Sequence, residues 1–378
     1  MPLVLGTLLL FSVLAFAATE PWAVATLQVG IFAQGIVCAI RRRLRWHPAG
    51  FALAGVVACG GWQLLAGTTV YRFATEKALL NWAAYFVLFV VALQALAAAD
   101  VRRKFLRAAF YAGSAVAVMA TVQYFTSGGA IYWIFRPRAG RAFGPFVNPD
   151  HYAAFVELIL PLAIHAALHD RPRVWLHMAI VGVLYGSVIA SASRAGAVLV
   201  TLELLALPML ERQARAAGKV VAVSVAVAAL ATAVVGGDVL WKRFQDKDPF
   251  RYRREMLAST AQMIGQRPWT GFGLGTYRAV YPEFASFDIG LVVDHAHNDW
   301  AEWTAEGGVP VLLLMLAVAA ASFRPALRSG WGLGIHAVFL HALVDFPLQI
   351  PAIAALLFTF IAALCNEEET RPAPRYTA

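Results

Sequence analysis

Residues 78–98 read ALLNWAAYFVLFVVALQALAA, a run of 21 positions without a charged side chain. A helix needs about 20 predominantly apolar residues to cross the hydrocarbon core of a bilayer, which is roughly 30 Å thick. The run is long enough and apolar enough to do so. It therefore predicts one membrane-spanning helix.

The rest of the chain repeats this pattern. Of its 378 residues, 60% are hydrophobic and 14% are charged, and the mean hydropathy is +0.65. Soluble domains carry about a quarter charged residues. Twelve apolar segments follow one another, at residues 3–19, 22–40, 49–66, 78–98, 105–125, 150–168, 174–190, 195–210, 219–236, 300–322, 331–344 and 346–365. We therefore expect an all-α, polytopic integral membrane bundle of about 12 transmembrane helices, with residues 1–378 forming a single membrane domain.

The distribution of basic residues predicts the orientation of this bundle. With the N-terminus placed inside, 17 of the 31 lysines and arginines fall in inside loops and tails, and 6 fall in short outside loops. The other 8 lie in a long outside segment, and long loops are exempt from the positive-inside rule. We expect both termini to be cytoplasmic, with a short extracytoplasmic loop at 126–149 and a long one at 237–299. Within the long loop, helical spacing of apolar residues predicts an amphipathic helix over 252–266.

Charge and cysteine content exclude some functions. The pI near 9.7 reflects these topogenic charges, whose ordinary partners are membrane lipids, so it does not indicate nucleic-acid binding. Cys38, Cys59 and Cys365 all lie in or beside apolar segments. They predict neither a disulfide framework nor a thiolate metal site.

Short outside loops normally avoid arginine, yet three outside regions of this chain carry it. The residues are Arg136, Arg138 and Arg141; Arg194; and Arg251, Arg253 and Arg254. The guanidinium fork matches phosphate oxygens, and a charge at a membrane boundary is by default a functional hypothesis. Snorkelling to lipid headgroups, or a local ion pair, is the alternative for any one of them. It is weaker for all three regions, because different loops bring them to the same face.

A second candidate region is Asp294-His295-Ala296-His297-Asn298-Asp299, directly before the segment that contains Glu302 and Glu306. Histidine titrates near neutral pH and is the usual general base. A His-x-His pattern with flanking aspartates could instead bind a metal or only start a helix. His341 and Asp345 are four residues apart and could pair on a helix. The Gly271–Gly275 run lacks the βαβ context of a nucleotide site, and Asp246-Lys247-Asp248 is typical of a solvated charge run.

Several of these stretches, taken in order, resemble the O-antigen ligase and O-antigen polymerase superfamily. The resemblance covers about residues 130–355. Its motifs are Gly144–His151 (GPFVNPDH), Ser191–Gly196 (SASRAG), Arg253 through Arg267–Tyr277 (RPWTGFGLGTY), His297-Asn298, Glu306–Pro310 (EGGVP) and His341–Pro351, with Leu257 where the family often has tryptophan. Each motif alone is loose, whereas the ordered set is fairly specific.

The resemblance implies a membrane glycosyltransferase of GT-C-like fold in the bacterial cytoplasmic (inner) membrane, active on its periplasmic face. The donor would be an undecaprenyl-diphosphate-linked glycan and the acceptor a sugar hydroxyl, on lipid A core or a similar glycan. The reaction would invert the anomeric carbon without a metal or other cofactor. His297 would be catalytic. Arg194 and Arg253 would bind the diphosphate, with Arg251, Arg254 and Arg141 as further candidates, and the supporting residues would be Asn298, Asn148, His341, Asp345 and Glu306.

Three other functions remain open at the level of sequence. A polymerase and the branch of the family that glycosylates proteins use the same donor and the same residues as a ligase and differ only in the acceptor, which the sequence does not reveal. A transporter of lipid-linked sugars would be expected to show inverted repeats and polar groups at the membrane midplane. No repeat is visible here, and the candidate polar groups gather at one face, which favours the enzyme.

Overall fold

The computed structural model describes residues 1–41, 44–137, 141–210, 251–287, 290 and 292–370, with a few isolated positions between 211 and 250. Regular structure in these residues is helical, apart from two isolated β-bridges, Ile131–Phe135 and Phe143–Phe146. The main helices are α1 (Pro2–Leu14), α2 (Pro21–Ile40), α3 (Pro48–Leu65), α4 (Arg72–Ala95), α5 (Ala99–Thr126), α6 (Pro149–His169), α7 (Val174–Ser191), α8 (Arg194–Leu210), α9 (Arg251–Gln266), α10 (Asp299–Ser329), α11 (Leu333–His341) and α12 (Pro351–Glu369). The all-α class is thus confirmed.

Eight of these helices are long and apolar enough to cross a membrane: α2 to α7, α10 and α12. Three other predicted segments contain the shorter helices α1, α8 and α11, of 13, 17 and 9 residues. Most of the predicted segment 219–236 lies outside the described residues, as do Arg138 and Asp246–Asp248. The count of 12 helices and the sidedness of the bundle therefore stay predictions.

The first predicted segment, 3–19, is wrong at its C-terminal end. Helix α1 stops at Leu14, because Phe16, Ala17 and Ala18 have φ angles of +56°, +56° and +53°. This left-handed conformation cannot continue a right-handed helix of L-residues. The chain turns there and re-enters the bundle at Pro21, the first residue of α2.

Helices α6 and α12 form the centre of the bundle. In each, 89% of the most apolar 18-residue window is buried, against 28% for α2. Both begin with a proline, whose missing N–H and fixed φ suit the first helical position. Because α6 is surrounded on all sides, polar residues in it lie inside the protein and need partners there.

The amphipathic helix predicted at 252–266 is confirmed as α9. It buries Met256 and Met263, together with residues of the following loop, in a small second hydrophobic cluster. Its opposite side is exposed, including Leu257 at 46%. Helix α9 contacts α10, and the loop after it folds back on Glu306 of α10. The long segment thus covers the start of α10.

The glycine-rich loop 271–275 has a structural reason for its composition. Gly271 has a φ of +61°, and a Cβ placed on it would lie 2.1 Å from the backbone oxygen of Glu306. Gly271 also donates its N–H to the carbonyl of Arg267. Only a residue without a side chain allows this approach between the loop and α10.

We therefore expect Gly271→Ala to destabilise the protein by more than about 2 kcal/mol, since a left-handed backbone and a backbone clash both oppose the added methyl group. The apparent melting temperature in detergent measures this. Gly265→Ala is the matched control, because Gly265 lies in α9 with no neighbouring atom within 4 Å of its Cβ position. A Gly271→Ala protein that melts with the parent would contradict the packing described.

Candidate functional site

Asparagines cap two helices that begin at the same end of the bundle. The Asn148 side-chain oxygen accepts a hydrogen bond from the N–H of Asp150 at 2.9 Å, at the start of α6. The Asn298 oxygen accepts from the N–H of Ala301 at 3.0 Å, at the start of α10. Asparagine is among the preferred N-cap residues. Both supporting asparagines thus cap a helix, and each cap fixes the position of the residues in the first turn of that helix.

Asn298 also fixes the residue before it. Its amide nitrogen donates to the carbonyl of Leu343 at 2.9 Å, which joins the start of α10 to the loop after α11. His297 has a φ of +50°, a conformation that non-glycine residues adopt infrequently and that clusters at functional sites. The chain therefore bends at His297 and directs its ring toward residues 343–346.

His297 and Asp345 form a hydrogen-bonded pair, the His297–Asp345 dyad, with 3.0 Å between Nδ1 and Oδ1. Asp345 is 1% exposed, and its Oδ1 also accepts from the N–H of Phe346. Burial alone would raise the pKa of Asp345, but the hydrogen bond from His297 and the nearby His151 and Arg253 lower it. An ionised Asp345 orients the ring so that Nδ1 donates, which leaves Nε2 as the acceptor. The His297 side chain is 28% exposed.

Arg253 is the arginine of α9 that reaches this dyad. Its guanidinium nitrogen lies 3.7 Å from Oδ2 of Asp345 and 3.4 Å from Oδ2 of Asp150. Each residue is rotated by about 100° from the one before it around a helix, so Arg251 and Arg254 point in other directions than Arg253. The guanidinium of Arg251 lies over the ring of Phe287. Arg254 is exposed on α9. The side chain of Arg253 is 27% exposed, so it is both paired and accessible.

Arg194 lies at the same end of the bundle. Helix α7 ends at Ser191, Ala192 takes a φ of +58°, and Arg194 begins α8. The Ser193 hydroxyl accepts from the N–H of Gly196 at 3.2 Å, and a Cβ on Gly196 would lie 2.4 Å from that of Ala153. The start of α8 is thus against the first turns of α6, close to Asp150. Arg194 is partly buried, and it interacts with another residue.

Arg141 and Glu306 are placed elsewhere. The guanidinium of Arg141 donates to the Tyr124 hydroxyl at 3.3 Å, and the side chain is exposed. Glu306 accepts a hydrogen bond from the N–H of Tyr277 at 2.9 Å, and its carbonyl accepts from Gln63. Glu306 therefore stabilises the position of the glycine-rich loop.

The spacing of His341 and Asp345 suggested a pair, and their ligand atoms do lie within 4.8 Å of each other, but each side chain has a different hydrogen-bond partner. Helix α11 ends at His341, although the N–H of Asp345 still donates to the carbonyl of His341 at 3.0 Å. The Nδ1 of His341 contacts Glu157 Oε1 on α6 at 2.7 Å, and both side chains are fully buried. His341 is thus held under the dyad by a carboxylate 184 positions away in the sequence.

The ring of Phe346 contacts three histidine rings. Its ring centroid lies 4.8 Å from those of His151 and His297, in edge contacts, and 4.4 Å from that of His295, in a stack. His295 in turn contacts Glu302 through Nδ1 at 2.8 Å. Burial alone would lower the pKa of His295, but the charge and hydrogen bond of Glu302 raise it to about 9.

We expect this His295–Glu302 pair to make stability pH-dependent. The folded pKa lies above the unfolded value of about 6.5, so the contribution is fully present below that pH and is lost as the pH rises through about 9. The apparent melting temperature of the parent should fall across this window, and that of His295→Gln should fall less. Equal slopes for the two proteins would show that the pair does not contribute.

Asp150, His341 and Asp345 could in principle hold a cation, since their ligand atoms lie within 4.8 Å of one another. Arg253 lies against the two carboxylates of this group. Its fixed positive charge neutralises them and opposes a second cation at the same place. The donor set therefore fits an internal arginine better than a metal ion.

The sequence did not indicate three acidic side chains as partners in this site. They are Glu157, which contacts His341, Asp150, which contacts Arg253, and Glu302, which contacts His295. Glu157 and Glu302 lie in apolar helices, and an ionisable group there is itself a signal. That signal gives no partner, because the partners are far away in the chain.

A model of a known protein family matches part of the chain. Residues 178–316 match the model of the O-antigen ligase family, and no curated protein matches the chain significantly. The matched region contains Arg194, Arg253 and His297, and it supports the O-antigen ligase and polymerase superfamily. Proteins of this family are membrane glycosyltransferase-like enzymes. Together with the eight apolar helices, the match supports a multi-pass membrane protein.

Proposed function

We propose that the protein is an O-antigen ligase-like glycosyltransferase of the bacterial cytoplasmic membrane. It transfers a glycan from undecaprenyl-diphosphate to a sugar hydroxyl on lipid A core or a similar acceptor, at the extracytoplasmic face. The observation that carries the proposal is the His297–Asp345 dyad with Arg253 beside it. Such a transfer requires a base for the acceptor hydroxyl and a cation for the diphosphate, and these two groups lie side by side at one end of the bundle.

The base accounts for the acceptor side of the reaction. The acceptor oxygen attacks the anomeric carbon while its proton passes to Nε2 of His297, which the Nδ1 contact with Asp345 leaves available. A new C–O bond forms as the bond between the anomeric carbon and the diphosphate oxygen breaks. A single displacement of this kind inverts the anomeric carbon.

The arginines account for the donor side. Undecaprenyl diphosphate departs with the electron pair on its phosphate oxygen, and negative charge grows there. Arg253 and Arg194 stabilise this charge, since forked guanidinium groups bind phosphate oxygens well in a partly dehydrated site. The contacts of Arg253 with Asp150 and Asp345, at 3.4 and 3.7 Å, are longer than strong charge-assisted hydrogen bonds, so its guanidinium can also bind the diphosphate. The reaction needs no metal, since the guanidinium groups supply the positive charge.

The test is transfer by the purified protein in nanodiscs, supplied with an undecaprenyl-diphosphate-linked glycan and lipid A core, with and without EDTA. We expect glycan on the lipid A core at the same rate in both. Longer chains from donor alone would assign a polymerase. Loss of product with EDTA would contradict the metal-free mechanism, and an unconsumed donor under all conditions would contradict glycosyl transfer.

A further inference from the structure

A cavity of about 660 Å³ lies at the end of the bundle opposite His297. It opens between α5, the C-terminal end of α6 and the start of α7. Helix α6 places Asp150 in its first turn and His169 at its last residue. At 1.5 Å per residue these are about 28 Å apart, close to the thickness of a hydrocarbon core. The cavity is therefore separate from the proposed glycosyl-transfer site.

The cavity wall carries an excess of cationic groups. Arg102, Arg103 and Arg107 line it, against the carboxylates of Asp170 and Glu367. Glu367 is engaged with the Ser329 hydroxyl at 2.7 Å and the Trp331 indole N–H at 3.0 Å.

Arg102 is 4% exposed and is held by backbone carbonyls and by Thr370. Arg103 and Arg107 are exposed, and neither forms a hydrogen bond or ion pair with a residue that the structure describes. Two guanidinium groups are thus available to a ligand.

A buried histidine points to the same kind of ligand. His177 is 2% exposed and lines the cavity. Its Nε2 contacts the Tyr111 hydroxyl at 3.2 Å, while its Nδ1 has no partner among the described residues. Buried polar groups in folded proteins are nearly always hydrogen-bonded. Rotation of the His177 ring toward the cavity would let Nδ1 donate a hydrogen bond to a phosphate oxygen there.

The other part of the lining is apolar. Leu106 and Phe110 of α5 and Leu162 and Ala166 of α6 line the cavity. A small soluble anion would gain nothing from contact with this apolar surface. An amphiphile, in contrast, places its charged end at the arginines and its glycerol and first methylene groups against the apolar wall. Basic pockets between transmembrane helices bind anionic headgroups in this way.

We propose that this cavity binds the phosphodiester headgroup of an anionic membrane phospholipid. Arg103 and Arg107 contact the phosphate oxygens, and the His177 ring turns toward the cavity to donate a further hydrogen bond. The lipid joins the start of α5 to the ends of α6 and α12, whose residues line the same space. This inference does not depend on the glycosyl-transfer reaction.

The experiment is a titration of the delipidated full-length protein in detergent with phosphatidylglycerol or phosphatidylcholine, followed by native mass spectrometry. We expect phosphatidylglycerol to bind more tightly. Arg103→Gln/Arg107→Gln should weaken its binding roughly 25-fold, since each basic side chain at an anionic lipid contributes about 1 kcal/mol. Phosphatidylcholine binding should change little.

The matched control is Lys104→Gln/Arg324→Gln, which removes the same charge from exposed positions that do not line the cavity. Equal weakening by the control would show general surface attraction and overturn the proposal. Displacement of phosphatidylglycerol by inorganic phosphate would show a site for a free anion and overturn it also. The melting temperature of each lipid-free variant establishes that it is folded.

Discussion

His297→Asn should lower the rate of glycan transfer by about 10²- to 10⁴-fold, the usual contribution of a positioned general base. The substitution removes the group that accepts the proton, while asparagine tolerates the left-handed backbone at this position and can still hydrogen-bond Asp345. The apparent melting temperature should therefore stay near that of the parent. Initial rates of transfer from an undecaprenyl-diphosphate donor measure the effect.

The matched control for this change is His47→Asn. His47 caps α3 through Nδ1, and α3 runs from there to Gln63, which contacts the loop beside Glu306. His47 is thus at the end of the bundle away from the dyad, and asparagine preserves its cap. We expect the control to keep the parent rate. Transfer at the parent rate by a folded His297→Asn protein would rule out the base assignment.

Arg253→Gln should lower kcat by about 10²- to 10³-fold, comparable to removing one group that stabilises charge in a transition state. Glutamine keeps much of the length of the side chain but cannot neutralise the departing diphosphate. The effect should lie mainly in kcat, because negative charge on the leaving oxygen grows as the bond breaks. Steady-state kinetics at varied donor concentration separate kcat from KM.

Two arginines on the same side of the bundle make this test specific. Arg278→Gln removes an exposed arginine that pairs with Asp294, and it should leave kcat unchanged. Arg251→Gln removes the arginine that lies over Phe287, and it should have a much smaller effect than Arg253→Gln. If Arg251→Gln lost as much kcat as Arg253→Gln, the choice of Arg253 from the cluster would be wrong.

Apolar segments were enough to predict the eight long apolar helices that the structure describes, because the length and hydropathy of a membrane-spanning helix are local properties of the sequence. The amphipathic helix α9 was predictable for the same reason, since its spacing is visible within 15 residues. The end of α1 was not predictable, because Phe16, Ala17 and Ala18 are ordinary helix residues whose left-handed backbone is set by the neighbouring packing. Local sequence gives the elements better than their ends.

In the candidate site, too, the sequence predicted individual residues but not the contacts between them. Resemblance of ordered motifs gave His297, Arg194 and Arg253 as candidates, and the geometry places them at one end of the bundle. The partners could not be derived: Asp345 pairs with His297 rather than with His341, which instead contacts Glu157. These pairs join residues 48 and 184 positions apart. No periodicity within a helix carries information on which distant helix faces it.

The anomeric configuration of the glycosidic bond that the purified protein makes distinguishes direct displacement from a covalent intermediate. NMR coupling constants of the donor and of the product report the configuration of the transferred sugar. If His297 activates the acceptor for a single displacement, the configuration is inverted. Retained configuration would mean a covalent glycosyl-enzyme intermediate, and it would contradict the account of the His297–Asp345 dyad as the base for direct attack.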